Sequence, residues 1–164
     1  MIISDILSDG IFAAIAAIGF GAISDPPLRA FSSIALLAAV GHALRFCLMT
    51  YLGVDIATAS LCASFTIGMG SLLLGKRIFC PMTVLYIPAL LPMVPGMYAY
   101  KIVFSLIMFM QNLKVPELQQ KYMMEMCTNS VITCSVIFML AVGATIPLFL
   151  FKTRAFSMTR HEKQ

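Results

Sequence analysis

Ile87-Pro88-Ala89-Leu90-Leu91-Pro92-Met93-Val94-Pro95-Gly96-Met97-Tyr98-Ala99-Tyr100-Lys101 decides how this chain is read. Pro88, Pro92 and Pro95, with Gly96, interrupt an apolar run from Thr83 to Met110, and Lys101 follows close behind. Each proline removes a backbone donor and crowds the carbonyl of the preceding turn. In hydrocarbon such an interruption survives only where protein or a water-filled cavity satisfies the freed backbone groups. A broken helix next to a cation is how secondary transporters build a substrate site near the bilayer midplane.

The rest of the composition agrees with a membrane setting. Of 164 residues, 60% are hydrophobic and 11% charged, whereas soluble domains carry about a quarter charged residues. No long polar region is left over, so one transmembrane domain over 1–164 is expected, with short loops and a basic cytoplasmic tail at 152–164. The net charge of +4 comes from scattered residues with no polar face to gather them, which excludes nucleic acid as a partner. Cys47, Cys62, Cys80, Cys127 and Cys134 form no C-x-x-C pair and no metal-type spacing, so they read as small hydrophobes and no metal or other cofactor is expected. The first charges are Asp5 and Asp9, and no basic region precedes the first apolar run, so no ordinary signal peptide is expected.

Five stretches approach the length needed to span a bilayer: roughly 6–23, 30–51, 54–74, 83–110 and 128–151. The fold class expected is therefore an all-α membrane protein of about five transmembrane helices, the fourth broken at the proline-rich motif. That fourth stretch is about 42 Å long at about 1.5 Å per residue, more than one straight crossing needs. Either it is broken or strongly tilted, or it is re-entrant. Residues 111–127 read as the one sizeable loop, with Met123, Met124 and Met126 resting at the interface. Alternate connections carry Arg29, Lys76, Arg77, Lys152, Arg154, Arg160 and Lys163, against Lys114 and Lys121 on the other side. The positive-inside rule then places the N-terminus outside and the C-terminus in the cytoplasm.

Small residues recur at four-residue spacing in three helices: Ala13, Ala17, Gly21; Ala35, Ala39, Ala43; and Ser60, Ser64, Gly68. Such stripes let backbones approach closely. They serve packing within the chain or docking on another subunit, and the small volume that five helices enclose favours some docking.

Four groups of residues could carry function. His42 and Arg45 share a face of the second span, and Arg45 either snorkels to the interface or needs a counter-charge, for which Asp9 on the first span lies at similar depth. In the functional version Arg45 clamps a carboxylate and His42 relays a proton. Gly96, Met97, Tyr98 and Tyr100 would open a new half-helix whose free N–H groups, beside Lys101, favour an anion; the alternative is an interfacial belt of Tyr98, Tyr100 and Lys101. Asn129, Ser130 and Thr133, with Thr128 as cap, would open the fifth span and either bond between helices or line a polar path. Met123, Met124, Met126 and Cys127 offer soft sulfur that suits Cu(I), against the plainer reading of an amphipathic interfacial segment. No nucleophile–base pair, phosphate loop or paired carboxylates appear, so enzyme chemistry is not expected.

Ala17-Ile18-Gly19-Phe20, Pro27-Leu28-Arg29-Ala30, Gly41-His42-x-x-Arg45 and Pro92-Met93-Val94-Pro95-Gly96-x-x-Ala99-Tyr100 occur in that order. On these motifs the chain resembles the small, five-helix half of the threonine/serine exporter family, across nearly its whole length. Some relatives of that half act with a larger inner-membrane partner in succinate export. The resemblance implies a secondary exporter in the bacterial inner membrane, with a separate larger subunit supplying the other half. It marks Gly41, His42, Arg45, Pro92, Pro95, Gly96 and Tyr100 as important, and leaves the cargo open between hydroxy-amino acids and dicarboxylates. The function expected is export of small carboxylated solutes, driven by the proton gradient. The alternatives are an assembly subunit that stabilises a larger partner without transporting, a homo-oligomer that builds the path alone, and a Cu(I)-handling protein.

Overall fold

A computed structural model describes residues 2–151. The basic tail expected at 152–164, with His161 and four of the charges used for orientation, lies outside the described residues. Six α-helices follow one another: α1 (Ile2–Ile23), α2 (Leu28–Tyr51), α3 (Ile56–Ile78), α4 (Met82–Leu90), α5 (Gly96–Gln111) and α6 (Pro116–Leu150), with a 3-10 turn at Leu91–Met93 between α4 and α5. No strand occurs among the described residues. Four stretches are long and apolar enough to cross a membrane: Ser4–Ile23, Leu28–Tyr51, Ile56–Ile78 and Pro116–Leu150. Counting α4 and α5 together as one span brings the number to five.

Local chemistry explains where the helices stop. Asp25 adopts a left-handed φ of 45°, and Pro27 at φ −58° leads into α2, so the segment after α1 reverses within four residues. Gly53 supplies the left-handed φ of 64° that ends the α2 side of the next connection. Asp55 then caps α3 by accepting the Thr58 N–H at 2.9 Å, and hydrogen bonding from the Thr58 side chain and then its backbone holds the Asp55 carboxyl below the ordinary aspartate range. At the other end of α3, Phe79 takes φ 52° and the Cys80 N–H returns to the Gly75 carbonyl at 2.9 Å, a six-to-one closure. Lys76 and Arg77 in that last turn complement the helix dipole.

One expectation fails. The 111–127 loop shrinks to the four residues 112–115, because α6 starts at Pro116. Proline suits the first helical position, Glu117 favours the first turn, and neither glycine nor proline interrupts the chain again until Gly143. Thr128 is consequently an interior residue of α6 and caps nothing. Hydropathy registers where a helix turns apolar, which is a different place from where it begins. Pro88 likewise sits inside α4, its ring buried near Gly21 of α1, so the interruption falls later, at Leu91–Pro95.

The described residues form two compact units, one holding the chain up to Met93 with the segment from Met139 onward, the other Val94–Phe138. In the first unit the core is built from small residues: Ala13, Ala17, Ala30, Ala38, Ala59, Ala63 and Ala89 are buried around Ile34, Ile67 and Leu85. The stripes Ala13, Ala17, Gly21 and Ser60, Ser64, Gly68 are both buried within the chain, so packing inside it already uses them. Ala35, Ala39 and Ala43 remain half-exposed. Ser60 and Ser71 turn their hydroxyls back onto the Ile56 and Gly68 carbonyls, which leaves no orphaned donor in that seam. The closest approach is between α3 and the end of α6. A Cβ on Gly68 would lie 2.8 Å from the Ala144 carbonyl oxygen and 3.2 Å from its Cα. Gly143 meets Ser64 and Leu61 in the same seam. In the second unit α5 packs on the first part of α6, with Ser105, Thr133 and Val136 buried.

Because the obstacle at Gly68 is backbone, it cannot rotate away. The Gly68→Ala variant is expected to lose about 1–3 kcal/mol, as overpacked cores do, and to melt at lower temperature in detergent. Gly19→Ala, with nothing within 4 Å of the added methyl, should hold or gain stability. Equal melting temperatures for the two variants would show that the seam is looser than this packing implies.

Candidate functional site

Two cavities gather the polar residues, one in each unit. In the first unit, α1 contributes Asp9 and α2 contributes His42 and Arg45. These three, with Phe46 and Met49, line a cavity of about 130 Å³. His42 Nδ1 lies 2.9 Å from Asp9 Oδ2. An ionised carboxylate only accepts, so Nδ1 carries the proton in that bond. Nε2 is buried and has no hydrogen-bond partner in the structure.

Arg45 does something the sequence did not suggest. Its Nη1 donates to the Met93 carbonyl at 2.8 Å. That carbonyl closes the 3-10 turn, and the helical ladder passes it by. Pro95, at φ −79° and ψ 66°, is the centre of an inverse γ-turn in which the Gly96 N–H returns to the Val94 carbonyl at 2.8 Å. Tyr98 and Ala99 both donate to the Pro95 carbonyl, so α5 begins its own ladder there. A cation from α2 thus satisfies an acceptor released by the interruption. Gly41, one turn before Arg45, makes room for it: a Cβ there would lie 2.7 Å from Ile67 Cγ1 and 2.9 Å from Met93 Cε. The spacing Gly41-His42-x-x-Arg45 therefore combines a place for the Met93 side chain with a hold on the Met93 carbonyl. Asp9, expected as the counter-charge of Arg45, bonds His42 and lines the same cavity.

The same γ-turn alters the expected anion site. The Gly96, Tyr98 and Ala99 N–H groups are engaged by Val94 and Pro95, which leaves the start of α5 poorly supplied with donors. Met97 is exposed, and Tyr98 lies beneath Lys101, whose Nζ is 5.8 Å from its ring centroid. Lys101 and Tyr100 are brought together with residues that sequence reasoning had treated otherwise. A cavity of about 440 Å³ in the second unit is lined by Tyr100, Lys101, Phe104, Ser105, Glu125 and Asn129. This volume lies in the range of about 300–1,000 Å³ usual for small-molecule sites. Lys101 and Ser105 share a face of α5, and Glu125 and Asn129 share a face of α6, each pair four residues apart. Ser105 Oγ donates to Glu125 Oε2 at 3.4 Å, and Asn129 Nδ2 donates to the Glu125 backbone carbonyl at 2.6 Å. Glu125 lies in the stretch 111–127 that reads as a loop. The helical spacing Glu125–Asn129 was the available signal, hidden by the misplaced helix start.

Met123, Met124 and Met126 belong to α6, where Met123 and Met124 are exposed. Among the described residues no group of three or more His, Cys, Asp or Glu side chains could hold a metal ion.

If Arg45 is what satisfies Met93, Arg45→Met should cost about 1.5–3 kcal/mol, the worth of a hydrogen bond from a charged donor. Arg45→Lys should recover part of that loss. Thermal melting of the purified variants measures both, and an Arg45→Met protein as stable as the parent would remove the arginine from this role.

Residues 9–150 match the family described as Threonine/Serine exporter, ThrE. No solved structure matches the chain. The matched region takes in both cavities and every helix from the middle of α1 to the end of α6. The protein, with several apolar helices of membrane-crossing length, is a multi-pass membrane protein that belongs to the threonine/serine exporter (ThrE) family of transporters.

Proposed function

We propose that this chain is the small subunit of a two-component exporter of small carboxylated solutes, working in the bacterial inner membrane with a larger subunit of the same family. The observation that carries the reading is the second-unit cavity: a Lys101 cation and a ring of polar groups in an otherwise apolar helical hairpin, within an exporter family. Ionisable residues inside membrane helices are costly and mark solute or ion paths. Lys101 is the residue for the solute carboxylate, with Tyr100 beside it. Arg45 stabilises the interruption between α4 and α5 instead of binding cargo. On this reading α4 and α5 together make the fourth span, with the N-terminus outside and the C-terminus in the cytoplasm.

Proton coupling is assigned to His42 and Asp9. The Nδ1–H bond to Asp9 orients the ring, while Nε2 faces no competing partner. Protonation of one part-buried group, linked to a cavity shared with Arg45, is the kind of local charge change that biases a two-state element.

Efflux of labelled threonine and labelled succinate from proteoliposomes tests the proposal. Flux should need both chains, and Lys101→Met should lower it at least tenfold with the complex still assembled. Flux from this chain alone would overturn the two-component arrangement in favour of a homo-oligomer. Undiminished flux in an assembled Lys101→Met complex would leave a scaffold role as the better reading. In the same vesicles His42→Gln should abolish the response to an imposed pH gradient, and a retained response would move the coupling site elsewhere.

A further inference from the structure

Lys101 and Glu125 line one cavity, yet no ion pair joins them. Lys101 rests over the Tyr98 ring, and Glu125 is held by the Ser105 hydroxyl. Two opposite charges in an apolar hairpin would ordinarily neutralise each other by direct contact, because each is costly alone. Their separation across about 440 Å³ leaves a cation and an anion facing the same space. We propose that this cavity is a two-headed site for a zwitterionic amino acid, and that Glu125 is the residue that selects against dicarboxylates. The inference rests on the exporter reading and adds to it the residue that sets the specificity of the site.

The solute α-carboxylate pairs with Lys101 and its α-ammonium pairs with Glu125. Ser105 is a positioning residue, because its buried hydroxyl orients the Glu125 carboxylate. Asn129 spends its amide N–H on the Glu125 backbone carbonyl, which frees its side-chain oxygen to accept from a solute hydroxyl. A dicarboxylate satisfies Lys101 equally well but brings its second anion against Glu125. Specificity then comes from a repulsive element as much as an attractive one. A site that requires a charged partner at each end also rejects analogues lacking one, since the abandoned group is left unpaired.

Equilibrium binding of labelled L-threonine to the full chain in nanodiscs, read by scintillation proximity, tests this without any need for flux. Competition should rank threonine at least tenfold above its methyl ester, which lacks the carboxylate, above N-acetylthreonine, which lacks the ammonium, and above succinate. E125Q should weaken threonine at least tenfold, and E125K should turn the preference to succinate. Succinate binding as tightly as threonine to the parent chain would overturn the proposal. So would unchanged threonine affinity in E125Q, or no binding of any of the four probes. The ligand ranking on the parent chain needs no variant to fold. The expected ranking in a protein that moves no threonine with its partner would uphold the site and overturn the exporter reading.

Discussion

The hydrogen bond from Arg45 to the Met93 carbonyl is what allows a proline-rich interruption to exist in so apolar a chain. Prolines take donors out of the backbone and leave acceptors behind, and hydrocarbon offers nothing to replace them. The inverse γ-turn at Pro95 rescues Val94, and the new ladder of α5 takes Pro95 itself. Met93 falls between these two arrangements. A long, permanently charged side chain from another helix reaches it, and arginine keeps its proton where a lysine would more readily lose one.

The charges divide between two tasks. In the first unit Arg45, His42 and Asp9 are tied to backbone or to each other, in a cavity of about 130 Å³. In the second unit Lys101 and Glu125 face a cavity more than three times larger, and their own contacts are a ring face and a long hydroxyl bond. Tight satisfaction suits holding and proton handling. Looser satisfaction suits a site whose remaining bonds come from cargo.

Much of this was legible in the sequence, for identifiable reasons. Apolar runs near twenty residues give membrane helices because the bilayer dictates their length, and Pro92, Pro95 and Gly96 mark the interruption because their backbone chemistry is local. His42 and Arg45 stood out as polar residues on an apolar face. What the sequence hid depended on partners distant along the chain. That Asp9 meets His42, and that Arg45 reaches a carbonyl 48 residues away, follows from how α1, α2 and the 3-10 turn pack. Glu125 escaped notice for a different reason. Hydropathy placed the start of the last span at residue 128, while the backbone had been helical since Pro116. The small-residue stripes were read as docking surfaces in part, yet two of them are spent on internal packing, which no spacing rule can distinguish.

Gly41 ties geometry to electrostatics. It admits the Met93 side chain to the α2 surface one turn away from the arginine that grips the Met93 carbonyl. Any side chain at position 41 would push on the same residue whose backbone Arg45 must reach, so a purely steric change would be felt as a weakened charge interaction. Steric tolerance at position 41 and charge tolerance at position 45 are therefore one property of the molecule: relaxing either demand means rebuilding the other.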